Sequence, residues 1–335
     1  MSDLPRFSVT SSLPAVLAVD GGGTKTAAIR VGQDGSIQDF RVTGGSNPFD
    51  QPAWRDVLAD LVTPMRSGIQ ASAFGLAGYG ENRAMGQHIQ THLQSLCPNA
   101  PLSISNDVDM ACAGAFAGGA GVLLLSGTGS IAWAQNAEGH SQRVGGWGSV
   151  FGDEGSAYWL GRMALEHLCQ ALDGRRPEAT DFAHTLCAHM HWPPTNPEAM
   201  DALLGWYAGQ KHPRSAVAQC ARTIDSMAEK GCHHARFLLT QAATELARSI
   251  QTARAFFPTE TLPWSYAGSV FNSRSVLADL TAVCGAPQTP VLPPLGGGIL
   301  RAARSAGWAV TTDWIATLAQ QFALLVSHSS TQGAA

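Results

Sequence analysis

Leu17-Ala18-Val19-Asp20-Gly21-Gly22-Gly23-Thr24-Lys25-Thr26 is the stretch that decides how this chain reads. An apolar run ends in an acid, three glycines follow, and a Thr-Lys-Thr turn leads into Ala27-Ala28-Ile29-Arg30-Val31. Apolar runs bounded by glycine read as buried strands. Glycines let a backbone turn tightly and approach a phosphate, whose oxygens then accept from main-chain N–H groups and from Thr24. Asp20, at the strand end, is placed to hold Mg²⁺ through water, because Mg²⁺ keeps much of its hydration shell. The alternative is an ordinary glycine-rich hairpin, and this motif alone leaves the two readings level.

The same pattern returns further along. The first half runs Val16–Val19, the glycine turn, an alternating strand, Asp34-Gly35, a third strand and Gly44-Gly45. The second runs Val122–Leu125, Ser126-Gly127-Thr128-Gly129-Ser130, Ile131–Gln135, Glu138-Gly139, Arg143-Val144 and Gly145-Gly146. Asp20 to Ser126 is 106 positions, and Gly35 to Gly139 is 104. Asp-Gly and Glu-Gly pairs both suit hairpin turns. The repeat predicts two related domains, each opening with a hairpin, whose Gly/Ser/Thr turns clamp one polyphosphate from opposite sides.

Composition narrows the field. The chain has 335 residues, 45% apolar and only 14% charged, with 36 glycines. That suits one large or two medium globular domains. A net charge of −4 gives no basic footprint, so no nucleic-acid partner is expected. Seven scattered cysteines without a C-x-x-C fit reduced thiols in a cytoplasm. The N-terminal segment, with Arg6 before a short apolar run, makes a poor signal peptide. Residues 110–137 are uncharged and long enough to span a bilayer, but they hold six glycines around a polar Ser-Gly-Thr-Gly-Ser, so they read as soluble core.

Strands alternate with helical periods elsewhere, which makes the class α/β. A helical stripe covers Trp54, Val57, Leu58, Leu61, Val62 and Met65, shortened by Pro64. Further helices are expected at 110–116, 155–172, 214–230, 233–257 and 312–328, and short strands at 71–76, 102–105, 264–267 and 290–292. The repeat places a boundary near Gly118–Gly121: residues 1–118 form the first domain and 119–311 the second, with a helical insertion, while the last helix, 312–330, packs back on the first.

Gly145-Gly146-Trp147-Gly148 and Gly152-Asp153-Glu154-Gly155-Ser156-Ala157-Tyr158-Trp159 form the most specific run. With the two turns, they resemble the N-acetylglucosamine kinases and their bacterial glucosamine-kinase-like relatives, within the BadF/BadG/BcrA/BcrD ATPases. These form a sugar-kinase branch of the hexokinase–actin–heat-shock-chaperone superfold. The ordered motifs run from Leu17 to Ala302. The resemblance implies two ribonuclease-H-like domains flanking an ATP and sugar cleft, with ATP and Mg²⁺ as cofactors, an amino sugar as substrate, and a cytoplasmic homodimer away from membranes. By the same resemblance Asp20, Gly22, Gly23, Thr24 and Lys25 fall in the first phosphate turn, and Gly127, Thr128 and Gly129 in the second. Gly268, Ser269, Gly296 and Gly297 match adenosine-side turns. Asn47, Ala77, Gly78, Gly146, Trp147, Gly148 and Asp153 match the sugar pocket, and Asp107 matches the catalytic base. Some relatives carry Ser where Ala77 stands, so that hydroxyl contact is absent here.

Each assignment has a plainer reading. Phosphoryl transfer is mostly positioning and charge neutralisation, and the sugar 6-hydroxyl must lose its proton as it attacks the γ-phosphate. Asp107 follows a predicted strand and suits that base role, yet Asn106-Asp107 also reads as a helix cap, and Asp109 competes for the same task. Asp153 would accept from sugar hydroxyls or else supply helix N-terminal charge, which Glu154 fits better. Trp147, between glycines, would give a flat wall for a sugar face. Lys25 lacks the preceding G-x-x-x-x-G of a P-loop and reads as a solvated turn lysine. His184, His189 and His191 lie beside a proline loop without a ligand pattern, and His233-His234 opens a helix.

The leading function is therefore transfer of the ATP γ-phosphate to the 6-hydroxyl of N-acetylglucosamine, with glucosamine as the alternative acceptor. A different class shares the superfold: ATPase activators of 2-hydroxyacyl-CoA dehydratases. Those hold an iron–sulfur cluster through cysteines, and none of the seven here lies in a glycine-rich turn. A catalytically silent sugar-binding regulator is the third reading, and fold alone does not separate the three.

Overall fold

The computed structural model describes residues 14–332, so the N-terminal segment weighed as a leader lies largely outside the described residues. The chain divides into two compact units, one made of residues up to Ala120 together with those from Thr289, the other of Gly121–Gln288.

The first unit is built on five strands, β1 (Ala15–Gly21), β2 (Lys25–Gly32), β3 (Ile37–Gly44), β4 (Ile69–Leu76) and β5 (Leu102–Ser105), in the order β3-β2-β1-β4-β5. β1 and β2 pair antiparallel, whereas β4 runs parallel to both β1 and β5. Side chains alternate across a strand, and β1 shows what that achieves. Val16 and Ala18 face one core, with Ile299 and Leu300 of α10 (Pro294–Ser305) and Leu318 and Phe322 of α11 (Thr312–Gln332). Leu17 and Val19 face the other, with Trp54 and Leu58 of α1 (Trp54–Val62) and Ile89 and Leu93 of α2 (Arg83–Leu96). Both faces of the sheet are thus covered, as a near-continuous apolar strand requires. The unit is completed by α3 (Asp107–Ala115), which crosses α10 closely: a Cβ on Gly114 would meet the Pro293 carbonyl, and one on Gly297 would overlap the Met110 carbonyl.

The second unit repeats the opening. β6 (Gly121–Ser126), β7 (Ser130–Gln135) and β8 (Ser141–Gly145) form an antiparallel meander, and β9 (Trp264–Ala267) lies parallel to β6, giving the order β8-β7-β6-β9. The two predicted hairpins are the same device. Gly32 N–H donates to Ser36 O at 2.8 Å and Gly35 N–H to Gly32 O at 2.9 Å; Asn136 N–H donates to His140 O at 2.9 Å and Gly139 N–H to Asn136 O at 3.1 Å. Each closes on a glycine at positive φ, +81° for Gly35 and +86° for Gly139, as a three-residue hairpin loop demands.

Between β8 and β9 the chain inserts α4 (Ala157–Leu172), α5 (Thr180–Met190), α6 (Glu198–Ala208), α7 (Pro213–Glu229) and α8 (His233–Ala255). α8 buries Leu238, Leu239, Ala242, Leu246 and Ile250 at helical spacing. α9 (Arg274–Cys284) follows β9. The uncharged stretch 110–137 is spent on α3, β6 and β7, and among the described residues no helix is long and apolar enough to cross a membrane.

Three expectations change. Residues 289–311, assigned above to the second domain, group with the first unit, because α10 packs on β1 and α3. The expected strand 290–292 does not form; Val291 and Leu292 N–H instead donate to Ala115 O and Gly114 O at the end of α3. The Gly296–Gly298 run is no turn but the first part of helix α10.

Candidate active site

In the first unit the sheet register gathers the expected residues at one edge. Asp20 on β1 lies opposite Gly75 on β4, and Gly75 opposite Ser105 on β5. All three parallel strands therefore end together, and the residues that follow, Ala77-Gly78 after β4 and Asp107 after β5, emerge beside Asp20. Carboxyl ends of parallel strands are where open α/β sheets bind ligands. The glycine turn is held by Gly22 N–H to Lys25 O (2.9 Å), with Gly23, Thr24 and Lys25 exposed. Ser46 N–H donates to Gly22 O at 3.0 Å and Ala77 N–H to Gly21 O at 2.8 Å, which fastens the Gly45–Asn47 and Ala77–Gly78 loops to that turn. The approach is close enough that a Cβ on Gly45 would overlap the Gly23 carbonyl. Asn47 accepts from Phe49 N–H (3.1 Å) and donates to Asp50 (2.7 Å), and its Oδ1 would lie 3.0 Å from a Cβ placed on Gly78.

The acids of α3 separate by their partners. Asn106 is the N-cap, its Oδ1 accepting from Val108 N–H at 3.0 Å. Asp109 is held in a fork by Arg301 of α10, at 2.9 and 2.7 Å. Asp107 accepts from Val108 N–H at 3.0 Å and has no cation paired with it among the described residues. Burial lifts its carboxyl above the usual range, against the pull of the Val108 amide, and Glu81 adds a smaller push. Asp20 is lifted further, to about 7, by burial first and then by the charge of Asp107, while Lys25 opposes the shift. Two half-buried carboxyl groups, both shifted upward, form a site short of positive charge. Among the described residues no cluster of three or more His, Cys, Asp or Glu could hold a metal. The Asp20 carboxylate suits Mg²⁺, which is bound through one or two carboxylates plus phosphates and waters.

In the second unit Thr128 and Ser269 line one cavity of about 350 Å³. It is walled by Ala157 and Leu160 at the start of α4, by Gln219, Arg222 and Asp225 on α7, and by Ser273, the N-cap of α9. The Gly127 turn (Gly127 N–H to Gly129 O, 2.9 Å) is tied to α4 by Ala157 N–H to Gly127 O at 2.8 Å. Gly268 lies against the same turn: its Cβ would overlap the Ser126 carbonyl. A turn rich in N–H groups beside a helix N-terminus is a ready anion site. α7 forms the far wall because it crosses α4 at Gly161, where a side chain would overlap the Val217 carbonyl. No motif announced the α7 residues; their spacing, 215, 218, 219, 222, is only that of any helix face.

The loop 145–155 is shaped by left-handed residues: Gly145, Gly146, Gly148 and Gly155, and also Asp153 at φ +61°. A non-glycine residue there costs energy, and such strain gathers at functional sites. Asp153 is nearly fully buried, accepting from Ser130 N–H at 3.2 Å and from Arg214 at 2.7 Å. Trp147 is 71% exposed, with the Arg143 guanidinium 5.4 Å from its ring centre, and Val150 and Phe151 are more exposed still.

Gly296 and Gly297 do not join the nucleotide-side residues. Both are buried inside α10 in the first unit, and their missing side chains make room for Leu292, Phe322 and α3 rather than for a ligand.

The signature of the BadF/BadG/BcrA/BcrD ATPase family matches residues 17–292. This chain belongs to that family. It is 26% identical over 274 residues to the N-acetylmuramic acid/N-acetylglucosamine kinase of Clostridium acetobutylicum, covering 79% of this chain and 88% of that protein. It is 25% identical over 285 residues to the N-acetyl-D-glucosamine kinase of Dictyostelium discoideum, with the same coverage. In structure it resembles a Chromobacterium violaceum protein solved as a candidate N-acetylglucosamine kinase, with a TM-score of 0.66 at 23% identity over 87% of this chain and 99% of that one. It also resembles a ROK family glucokinase from Streptomyces griseus, with a TM-score of 0.50 at 16% identity over 87% and 99%. The likeness in structure speaks to the fold, two α/β units of the sugar-kinase kind.

Proposed function

We propose that this protein is an ATP-dependent amino-sugar kinase that phosphorylates the 6-hydroxyl of N-acetylglucosamine. The observation that carries the reading is Asp107. It is a half-buried acid at the carboxyl edge of β1, β4 and β5, with no cation paired to it among the described residues, while Asn106 caps the helix and Asp109 is held by Arg301. The family and the two kinase relatives named above support the reaction class.

In this reading the sugar oxygen attacks the γ-phosphorus, the bond from that phosphorus to the β,γ-bridging oxygen breaks, and ADP leaves. The hydroxyl proton passes to Asp107, whose raised carboxyl makes it a better acceptor than an ordinary aspartate. Asn47 and the Ala77-Gly78 backbone orient the sugar from the first unit. The Gly146-Trp147-Gly148 loop offers a flat apolar wall, and Asp153 reaches a sugar hydroxyl only by sharing or releasing Arg214. The first turn (Gly22, Gly23, Thr24, Lys25) and the second (Gly127, Thr128, Gly129) cradle phosphates through backbone amides, and the cavity by Gly268-Ser269 takes the nucleoside. Asp20, through water, would hold Mg²⁺, which when bound would neutralise phosphate charge. The resemblance further carries a cytoplasmic homodimer into this proposal. All seven cysteines lie within helices or at their ends, away from both glycine turns, so a cluster-bearing activator gains no support from them.

The test is ADP release with Mg-ATP against N-acetylglucosamine, glucosamine, N-acetylmuramic acid, N-acetylmannosamine, glucose and no sugar. Turnover on N-acetylglucosamine, with the phosphate located on O6 by NMR, is expected. Preference for glucosamine or N-acetylmuramic acid, the substrates named in relatives from Vibrio cholerae and Clostridium acetobutylicum, would reassign the acceptor. Sugar-independent hydrolysis would sink the kinase reading.

A further inference from the structure

The ion pair between Asp153 and Arg214 is built unlike the other long-range Arg–Asp pairs among the described residues. Asp109 and Asp279 are each gripped by two nitrogens of one guanidinium, from Arg301 and Arg236. Arg214 gives Asp153 a single nitrogen, Nη2, at 2.7 Å. The exposure is as lopsided: the Asp153 side chain is 4% exposed and that of Arg214 49%. The pair also rests on the second glycine turn. A Cβ on Gly129 would stand 2.9 Å from Asp153 Oδ1 and 3.0 Å from Arg214 Nη2, so the missing side chain lets the turn reach both charges. The cavity begins on either side, since Thr128 precedes Gly129, Ser215 follows Arg214, and both line it. Arg214 is the second residue of α7, whose first turn holds no acid and follows exposed Lys211 and His212. A cation there opposes the positive end of the helix dipole and gains from an added anion.

We infer that Arg214 is a phosphate ligand held in reserve: a nucleotide polyphosphate at the Gly127–Gly129 turn draws its guanidinium from Asp153, and the carboxylate so released accepts from a sugar hydroxyl. The inference deepens the kinase reading and rests on it for its sugar half. A terminal phosphate offers more charge than one carboxylate and matches the guanidinium fork, which Asp153 engages through one nitrogen only. Asp153 cannot be left alone in exchange, because a nearly buried carboxylate that loses a donor pays for it. Ser130 N–H, at 3.2 Å, stays with it, and a sugar hydroxyl supplies the donor that Arg214 withdraws. Each ligand thus satisfies the group that the other uncovers. Such coupling is reciprocal: nucleotide tightens sugar by the factor that sugar tightens nucleotide. Arg214 acts on the sugar only through Asp153, which makes it a positioning residue there and a direct contact for phosphate.

Titration calorimetry on the full chain reads the phosphate half without any sugar, using the Mg²⁺ complex of the non-hydrolysable ATP analogue AMP-PNP and, separately, adenosine. Arg214→Met should bind AMP-PNP at least ~10-fold more weakly, the scale of a lost charge-assisted contact, and adenosine within about twofold of wild type. Asp153→Asn, which leaves the guanidinium unclaimed, should bind AMP-PNP several-fold more tightly. Arg214→Lys keeps the charge without the fork and should fall between wild type and Arg214→Met. Saturating AMP-PNP should tighten N-acetylglucosamine about tenfold in the wild type and less than about twofold in Arg214→Met. Equal losses for AMP-PNP and adenosine would mean that Arg214 only shapes the cavity, and would overturn the inference. So would AMP-PNP binding that Arg214→Met leaves untouched or Asp153→Asn weakens, or sugar tightening that persists without Arg214. Failure of the kinase reading looks different: the sugar would not bind the wild type in any state, which removes the coupling as well, while the nucleotide titrations still decide whether Arg214 holds phosphate.

Discussion

The two units begin alike and then diverge, and the divergence changes what stands at their strand ends. Both open with a hairpin on a buried strand, turn on glycine, and close a second hairpin through a positive-φ glycine. Where the first strand carries Asp20 next to its end, its counterpart ends in Ser126, whose hydroxyl is spent on the Gly155 carbonyl at 3.2 Å. One helix joins β3 to β4, whereas five helices separate β8 from β9. The first unit has half-buried acids at its strand ends; the second has a helical wall and a cavity. On the proposed function, a duplicated scaffold places the candidate base in one unit and the candidate nucleoside cavity in the other.

The largest expected effect tests that division. Asp107→Asn should lower kcat by about 10³, within the span general-base removal usually gives, while ATP binding measured by calorimetry stays within twofold. Loss of nucleotide binding in that variant would break the contrast between units.

The next lies in the helical insertion. His167 on α4 and His234 on α8 meet at 2.8 Å between Nδ1 and Nε2, which requires at least one neutral ring. Burial first, then Arg176, pushes His167 down to about 4, and burial lowers His234 as well. The unfolded chain takes up these protons near pH 6.5, before the folded one does. This contribution is therefore complete above pH 6.5 and is lost as pH falls toward 4, by about 2–3 kcal/mol for His167. Thermal melts from pH 7.5 to 4.5 should show the loss, and His234→Phe should flatten it. A steeper slope in the variant would reject the assignment.

Gly161→Val should cost about 1–3 kcal/mol by forcing α4 from α7, and should raise KM for ATP before it alters sugar affinity. Smallest of all, Arg222→Ala should raise KM for ATP about tenfold, the scale of one charge-assisted contact, and leave kcat near wild type. An equal fall in kcat would mean that α7 does more than hold nucleotide.

Much of this was legible in the chain. The near-continuous burial of β1 and β2, the twin hairpins, and helices α4, α7 and α8 follow from patterning that local sequence controls. The helix α2 escaped notice although Asn82 caps it, accepting from Met85 N–H at 2.9 Å; its polar face hides the stripe of Ile89, Leu93 and Leu96. Gly296-Gly297-Gly298 misled because glycine serves close helix crossings as readily as turns, and only the presence of α3 tells which. Choosing among Asn106, Asp107 and Asp109 needed Arg301, far away in sequence. Local signals do not carry that kind of information.

The same distance orders the protein's birth. The chain leaves its first unit after Ala120 and returns to it only at Thr289, so the second unit is an uninterrupted insert. On a ribosome the insert is complete while the first sheet still lacks α10 and α11, the helices that cover one of its faces. Arg301, the residue that frees Asp107 by taking Asp109, is among the last to emerge. The unit with the Thr128–Ser269 cavity can be finished early, and the unit with Asp20 and Asp107 only when synthesis is nearly over.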